Sequence, residues 1–307
     1  MKKVNFTANR WKYMLLPLAI IVIGIVMWFV HGGFNYDIEF KGGVRMQVEL
    51  GTTYDNDELG KFLSDKIGEQ VTVQKASSDT QVIVKTPPID EAVKDEVFSA
   101  LKEKYSLEDS ALMSVSSASA SFGTEVQQKA FLYAMLAIIC ILIYIAIRFE
   151  WRSAVMAVMA LAINVAVMFA VYAITNIAMN TTFIAAMLTV IGYSINNTIV
   201  IFDRIRENMK RISGKNGGSI IDTVDVSIME SMGRTVNSTI TTLITIVLLY
   251  IIGVSAVRDF ALPLIVGIVI GAYTSIFIAG GFWAVWKQSE KDARAAAARE
   301  KSKSKKK

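Results

Sequence analysis

The chain of 307 residues is 53% hydrophobic, has a mean hydropathy of +0.44 and carries a formal net charge of +5. This composition excludes an ordinary soluble enzyme and predicts an integral membrane protein. Its single cysteine, Cys140, excludes an internal disulfide bond.

Six apolar runs are each long enough to cross a bilayer as a helix of about 20 residues. They are residues 13–30, 130–147, 154–175, 182–202, 235–253 and 261–285. All five tryptophans fall at or near the ends of these runs, where amphipathic rings favour the headgroup region. The sequence therefore predicts six transmembrane helices, the first being an uncleaved span.

Lysine and arginine are concentrated on one side of these runs. The connection after the fourth run carries Arg204, Arg206, Lys210, Arg211, Lys215 and Arg234. Residues 175–181 carry no basic residue, and residues 255–262 carry only Arg258. By the positive-inside rule, residues 1–30 form a cytoplasmic N-terminus and first helix, residues 130–286 form the other five helices, and both termini are cytoplasmic.

Residues 31–129 are predicted to form one extracytoplasmic α+β domain. Apolar residues alternate from Val44 to Leu50 as in a half-buried strand, and Asp55 with Glu58 suggests a capping box at a helix start. Two strands near residues 71–84, a helix after Pro88 and a strand at 112–118 complete the order βαββαβ, the ferredoxin-like arrangement. With 17 acidic and 10 basic residues, and no catalytic constellation, this domain is expected to bind rather than to react.

The C-terminal segment 287–307 is strongly basic, with nine basic and three acidic residues. The composition favours a solvated, disordered cytoplasmic tail. Contact with anionic lipid or ribosomal RNA is the less favoured alternative, and no nucleic-acid partner is expected overall.

The fourth run carries polar side chains in its middle and charges at its end. Ser194, Asn197 and Thr198 lie within the apolar stretch, and Asp203 and Arg204 end it. Polar groups at membrane depth are costly, so such a helix is expected to be functional, with its polar face inside a helix bundle.

Residues 191–208, IGYSINNTIVIFDRIREN, resemble the signature of the SecF family of bacterial protein-export membrane proteins. Further similarities are EFKGG at 39–43, RFEWR at 148–152, the Arg234-Thr235 pair before a threonine-rich stretch, and RDF at 258–260. The motif residues carried over from the family are Gly42, Gly43, Gly192, Arg204, Arg206 and Thr235.

The resemblance implies a multi-pass protein of the bacterial cytoplasmic membrane that works with a partner chain, SecD. The two chains would form a twelve-helix assembly like that of the resistance-nodulation-division exporters. The assembly would use the proton-motive force to help exported polypeptides leave the SecYEG channel, in contact with membrane lipid. The sequence and the resemblance predict no catalytic residue, metal site or cofactor.

Besides Glu39, which stands where the family motif has an aspartate, two positions within the predicted spans depart from the family pattern. Asn197 and Asn164 stand where family members usually carry aspartates, and an amide cannot take up and release a proton in the accessible pH range. Asp203 does not replace them, because it is predicted at the cytoplasmic end of its span.

Three interpretations therefore remain open. SecD supplies the titrating carboxylate while this chain contributes Arg234 and the polar face of Ser194, Asn197 and Thr198. Alternatively, Asn197 and nearby hydroxyls bind a monovalent cation, or these residues only join helices by hydrogen bonds. A small-molecule exporter subunit of the same superfamily is a further alternative, which the small outer domain disfavours.

Overall fold

The structure is a computed structural model that describes residues 5–76, 78–89, 91–148, 150–213 and 219–304. Phe149, Lys215 and residues 305–307 of the predicted tail lie outside the described residues. The helices are α1 (Arg10–Val30), α2 (Ile38–Lys41), α3 (Asn56–Ile67), α4 (Glu91–Tyr105), α5 (Ala120–Arg148), α6 (Trp151–Thr175), α7 (Thr181–Ser213), α8 (Ile220–Ile252), α9 (Ser255–Thr274) and α10 (Gly280–Ser304). The strands are β1 (Gly43–Glu49), β2 (Thr72–Lys75), β3 (Gln81–Thr86) and β4 (Leu112–Ala118).

Six helical segments of the described chain are long and apolar enough to cross a membrane. Two of them run well beyond the predicted apolar runs, because α7 continues to Ser213 and α8 begins at Ile220. The extensions are charged, and residues such as Glu, Arg and Lys are good helix formers that hydropathy alone does not detect. Similarly, α5 begins at Ala120, ten residues before the predicted second apolar run.

The four strands form one antiparallel sheet in the order β2-β3-β1-β4. Helices α3 and α4 pack on it around a core that includes Val48, Leu63 and Leu101, each 0% exposed. Asp55 caps α3 by accepting hydrogen bonds from the backbone of Asp57 and Glu58, as the sequence predicts. The reciprocal half of the capping box is replaced by an ion pair, since Glu58 lies 3.3 Å from Lys104.

The membrane bundle is densest around α6, α7 and α9, and glycines allow the closest approaches. A Cβ built on Gly24 of α1 would lie 2.4 Å from the Cβ of Ala170 on α6. A Cβ on Gly267 of α9 would lie 2.3 Å from Val190 of α7. Small residues at such crossings let helix backbones pack tightly in lipid, where no hydrophobic force drives helices together.

The peripheral helices leave most of their apolar side chains uncovered. In their most apolar windows α1 and α5 are only 11% buried, and α8 is 17% buried, compared with 56% for α6. The uncovered faces of these three helices are therefore open to lipid or to a second membrane protein.

The prediction of a disordered tail is wrong for residues 287–304, which continue α10. This stretch is rich in alanine, lysine and glutamate, which have high helix propensity. Its first turns are also anchored, because Lys287 lies 2.7 Å from Glu150 and Glu290 pairs with Arg152. The RDF motif at 258–260, which lies between the predicted fifth and sixth runs, is in the first turns of α9.

Candidate functional site

A line of buried polar side chains crosses the interface of α6, α7 and α9. The Nδ2 atom of Asn164 donates to Ser194 Oγ at 2.6 Å, and Thr274 Oγ1 donates to Asn164 Oδ1 at 2.7 Å. All three residues are 0% exposed. Both ends of the Asn164 amide therefore bond to neighbouring helices, which is how amides join helices in membranes.

The same line continues into a π-helical segment, Ser275–Ala279, between α9 and α10. The hydroxyls of Thr198 and Ser275 lie 2.8 Å apart, and Thr198 also donates to the Ser194 carbonyl at 3.2 Å. We call Asn164, Ser194, Thr198, Thr274 and Ser275 the polar seam. Single π-helical turns inside α-helices are frequent at functional sites.

A glycine makes room for the seam. A Cβ built on Gly271 of α9 would lie 3.0 Å from both Cβ and Oγ of Ser194 and 3.6 Å from Asn164 Nδ2. A larger residue here would push Ser194 away from Asn164. Gly271 was not among the residues predicted from the sequence, and it lies about one helical turn before Thr274.

Asn197 differs from Asn164 in having no hydrogen bond to its amide nitrogen among the described residues. It is 3% exposed, and the Oγ1 atoms of Thr235 and Thr239 on α8 are likewise buried without a partner there. Asn208 of α7 donates a hydrogen bond to Ser227 of α8 at 3.0 Å, which fixes the antiparallel register of these two helices. Counting back along both helices from this bond places Asn197 level with residues 235–239. Buried polar groups normally have partners, so these three stand apart from the seam.

The charged end of the signature lines an open pocket of about 350 Å³ between α7 and α8. Its lining consists of Val200, Asp203, Arg204, Glu207, Glu230, Ser231 and Arg234, which we call the ion-pair pocket. Arg204 lies 2.7 Å from both Glu207 and Glu230, and Asp203 lies 3.2 Å from Arg206. Arg234 is exposed at the rim, one helical turn from the level of Asn197.

The EFKGG motif forms the joint between the sheet domain and the membrane bundle. Glu39 Oε2 accepts hydrogen bonds from the backbone nitrogen of Thr181, at 2.9 Å, and from its hydroxyl, at 2.5 Å. Thr181 is the first residue of α7, so Glu39 caps the helix that carries Asn197. Gly43 has a φ of +139°, and a Cβ there would lie 2.2 Å from the Thr86 carbonyl, so only glycine fits.

The predicted site residues thus fall into separate groups. Asn164, Ser194 and Thr198 share the seam; Asp203, Arg204 and Arg234 share the pocket; and Gly42 and Gly43 lie at the joint. Thr235 follows Arg234 in α8 and is buried, and Gly192 lies on an exposed helix face. Thr274, Ser275 and Glu230 were not predicted as site residues, although the hydroxyls of Thr274 and Ser275 inside the last apolar run were a readable signal. Thr239 was noted only as part of the threonine-rich stretch after Arg234.

Comparison with known proteins assigns the family. The family model "Protein export membrane protein SecD/SecF, C-terminal" matches residues 97–289, more than half of the chain. The chain belongs to the SecD/SecF family. It is 34% identical to the protein translocase subunit SecF of Alicyclobacillus acidocaldarius over 91% of each chain. It is 32% identical to the SecDF subunit of Bacillus subtilis, over 94% of this chain and 39% of that protein.

The fold of the SecD/SecF family agrees with the structure. The crystal structure of SecDF from Thermus thermophilus, described as a translocon-associated membrane protein, matches 93% of this chain with a TM-score of 0.83 at 29% identity. This chain corresponds to 39% of that protein. The relatives and the six apolar helices establish a multi-pass membrane protein of the Sec export pathway, and the SecDF fusions support SecD as the partner of SecF.

Proposed function

We propose that the chain is a SecF-like subunit that works with SecD to promote late, proton-motive-force-dependent export of polypeptides through SecYEG. It would lie in the bacterial cytoplasmic membrane with both termini cytoplasmic and the sheet domain outside. The order β2-β3-β1-β4 supports a ferredoxin-like assignment of that domain, and its acidity suits binding rather than catalysis. The described association of the Thermus protein with the translocon supports the SecYEG part of the proposal.

The observation that carries the proposal is that the polar seam is neutral. Its described side chains are one amide and four hydroxyls, none of which titrates in the accessible pH range. Asn197, the buried amide beside the seam, is equally unable to carry a proton. We therefore assign the proton-carrying group to SecD, because one charge crossing 100 mV yields about 2.3 kcal/mol wherever the carrier sits.

The proposed SecD-facing surface is the side of α7 and α8 that holds the ion-pair pocket. Arg234 is cationic and lies exposed at its rim, so it can pair with a partner carboxylate that approaches. Above it, α8 exposes a ridge of apolar side chains that includes Ile240, Ile244 and Leu248, which are 50%, 57% and 51% exposed. A ridge of this kind suits a helix–helix contact in the membrane.

Site-specific crosslinking tests the interface. In a Cys140→Ala background co-expressed with SecD, Ile244→Cys carrying a short thiol-reactive photocrosslinker is expected to capture SecD. The control is Ile246→Cys, because Ile246 is on the same helix but only 8% exposed. Capture of lipid alone at position 244, or equal capture at both positions, contradicts the proposed surface.

A structural subunit without direct ion coupling is the second candidate. It is favoured by the complete bonding of Asn164, which needs no transport role to explain it. The two candidates predict different effects of substituting Asn197 and Arg234, because neither residue takes part in the hydrogen bonds of the polar seam. Export measured in variants at these two positions separates them. A small-molecule exporter is less favoured, because the predicted domain at residues 31–129 is small for a ligand-binding porter domain.

A further inference from the structure

A cavity of about 440 Å³ lies where the sheet domain meets the bundle. One wall is the sheet, through β1, β2 and β3, and the other is formed by the adjacent ends of α6, α8 and α9. The charged residues that line it are Asp37, Arg45, Lys75, Lys85, Arg258 and Asp259. Four cationic side chains and two carboxylates therefore share one space, and the cavity carries a surplus of positive charge.

The two carboxylates are already engaged with cations inside the cavity. Asp37, only 4% exposed, lies 2.9 Å from Lys85, and Asp259 lies 3.9 Å from Arg45. Lys75 pairs with Asp79 at 3.0 Å, but both side chains are largely exposed, and such surface pairs contribute little. The positive surplus is thus not neutralised from within the cavity.

Arg258 has unused hydrogen-bonding capacity at the cavity wall. Its Nη2 atom donates to the Ile251 carbonyl at 2.9 Å, which fixes the side chain at the cavity wall. Its Nε atom is buried and has no hydrogen-bond partner among the described residues. A guanidinium held in this way offers a planar set of donors suited to a phosphate group.

The surroundings of the cavity are apolar on one side. The end of α8 and the turn after it expose Tyr250, Ile251, Ile252 and Val254 by 38%, 60%, 79% and 66%. Tyr250 also lines the cavity, so the cationic space opens directly onto this apolar surface. The sheet domain is otherwise acidic, with a net charge of −7 over residues 31–129, so the basic cavity is a local exception.

We propose that this cavity binds the phosphate of an anionic phospholipid from the leaflet on the side of the sheet domain. The phosphate contacts Arg258 and the adjacent cations, and the acyl chains lie along the exposed end of α8. Cationic pockets between helix ends are suited to such headgroups, because one pocket offers charge and the neighbouring surface offers apolar area. The lipid would bridge the domain and the bundle at the membrane surface. This proposal does not depend on the export function proposed above.

Native mass spectrometry of the full purified chain tests the proposal directly. The chain is titrated with phosphatidylglycerol and separately with zwitterionic phosphatidylcholine, and the bound lipids are counted. We expect tighter binding of phosphatidylglycerol, weakened about fivefold by Arg258→Gln, since one cation near an anionic lipid surface contributes about that factor. The matched control is Lys61→Gln, because Lys61 is an exposed cation of the same domain outside the cavity. It is expected to leave binding unchanged.

One further variant and one competition experiment distinguish the possible explanations of a change in lipid binding. Arg258→Lys keeps the charge and is expected to retain most of the selectivity, which separates lost charge from lost folding. Excess inorganic phosphate is expected not to displace the lipid. Displacement by free phosphate would identify a soluble anion as the ligand and overturn the lipid assignment. Equal affinity for the two lipids, or no change in Arg258→Gln, would overturn the site itself.

Discussion

Asn164 and Asn197 are two buried amides in one bundle, yet they differ in their hydrogen bonds. Asn164 makes two hydrogen bonds to other helices, at 2.6 and 2.7 Å, whereas the Asn197 amide nitrogen has no partner among the described residues. We therefore expect Asn164→Ala to destabilise the folded bundle and Asn197→Ala to leave its stability nearly unchanged.

The magnitude follows from the bonds that are lost. A hydrogen bond between membrane helices contributes about 0.6 kcal/mol on average, so two bonds amount to about 1.2 kcal/mol. Thr274 keeps a bond to the Gly271 carbonyl at 3.2 Å in the variant, which limits the cost of its lost partner. We expect Asn164→Ala to lower the free energy of unfolding by about 1 to 2 kcal/mol. Asn197→Ala should cost less than one average bond, below about 0.6 kcal/mol.

The assay is reversible unfolding of the purified full chain in mixed micelles, with increasing SDS and helicity followed by circular dichroism. Wild type, Asn164→Ala and Asn197→Ala are compared at the same protein and lipid concentrations. Equal destabilisation by the two variants, or a larger loss for Asn197→Ala, would refute the assignment of structural bonding to Asn164 alone.

Three further predictions concern the sheet domain and the topology. Gly43→Ala should lower the melting temperature of the domain much more than Gly51→Ala. Both glycines have a positive φ, but only a Cβ at Gly43 would meet a backbone oxygen. Equal decreases in melting temperature would contradict this prediction. Burial raises the pKa of Tyr54 to about 12 from its ordinary value of 10. The neutral phenol therefore stabilises the fold fully below pH 10, and this contribution is lost as the pH rises towards 12. Tyr54→Phe should remove that loss from a pH series of thermal melts, and an unchanged pH profile would contradict the prediction. Single cysteines at Ser78 and Ser289, both exposed, should be labelled by an impermeant reagent from opposite sides of the membrane, and labelling from one side would refute the proposed topology.

The sequence predicted which segments are helices and strands better than it predicted where they end. Hydropathy located the six long apolar helices of the described chain, and alternation located β1. The charged extensions of α7 and α8 were missed because hydropathy measures transfer into lipid, whereas a helix can continue through water on helix propensity and ion pairs. The helical segment 287–304 was missed for the same reason.

The candidate site was only partly readable in the sequence. The polar residues of the fourth run were recognised because polar groups are rare at membrane depth. Their division into a bonded Asn164 and an unbonded Asn197 depends on which neighbouring helix each faces, which one sequence does not specify. The role of Glu39 at the start of α7 was also hidden, since 142 positions separate it from Thr181 in the chain.

The most direct test of the account is gradient-dependent export by the chain together with SecD, compared in Asn197→Ala, Arg234→Lys and Arg234→Ala. Export of a defined polypeptide is measured in membrane vesicles with the proton gradient intact and collapsed, after assembly with SecD has been verified for each variant. If SecD carries the proton, Asn197→Ala should keep most of its gradient-dependent export, Arg234→Ala should lose more, and Arg234→Lys should fall between them. Abolition of gradient-dependent export by Asn197→Ala in an intact assembly would make Asn197 a direct participant and would contradict the account.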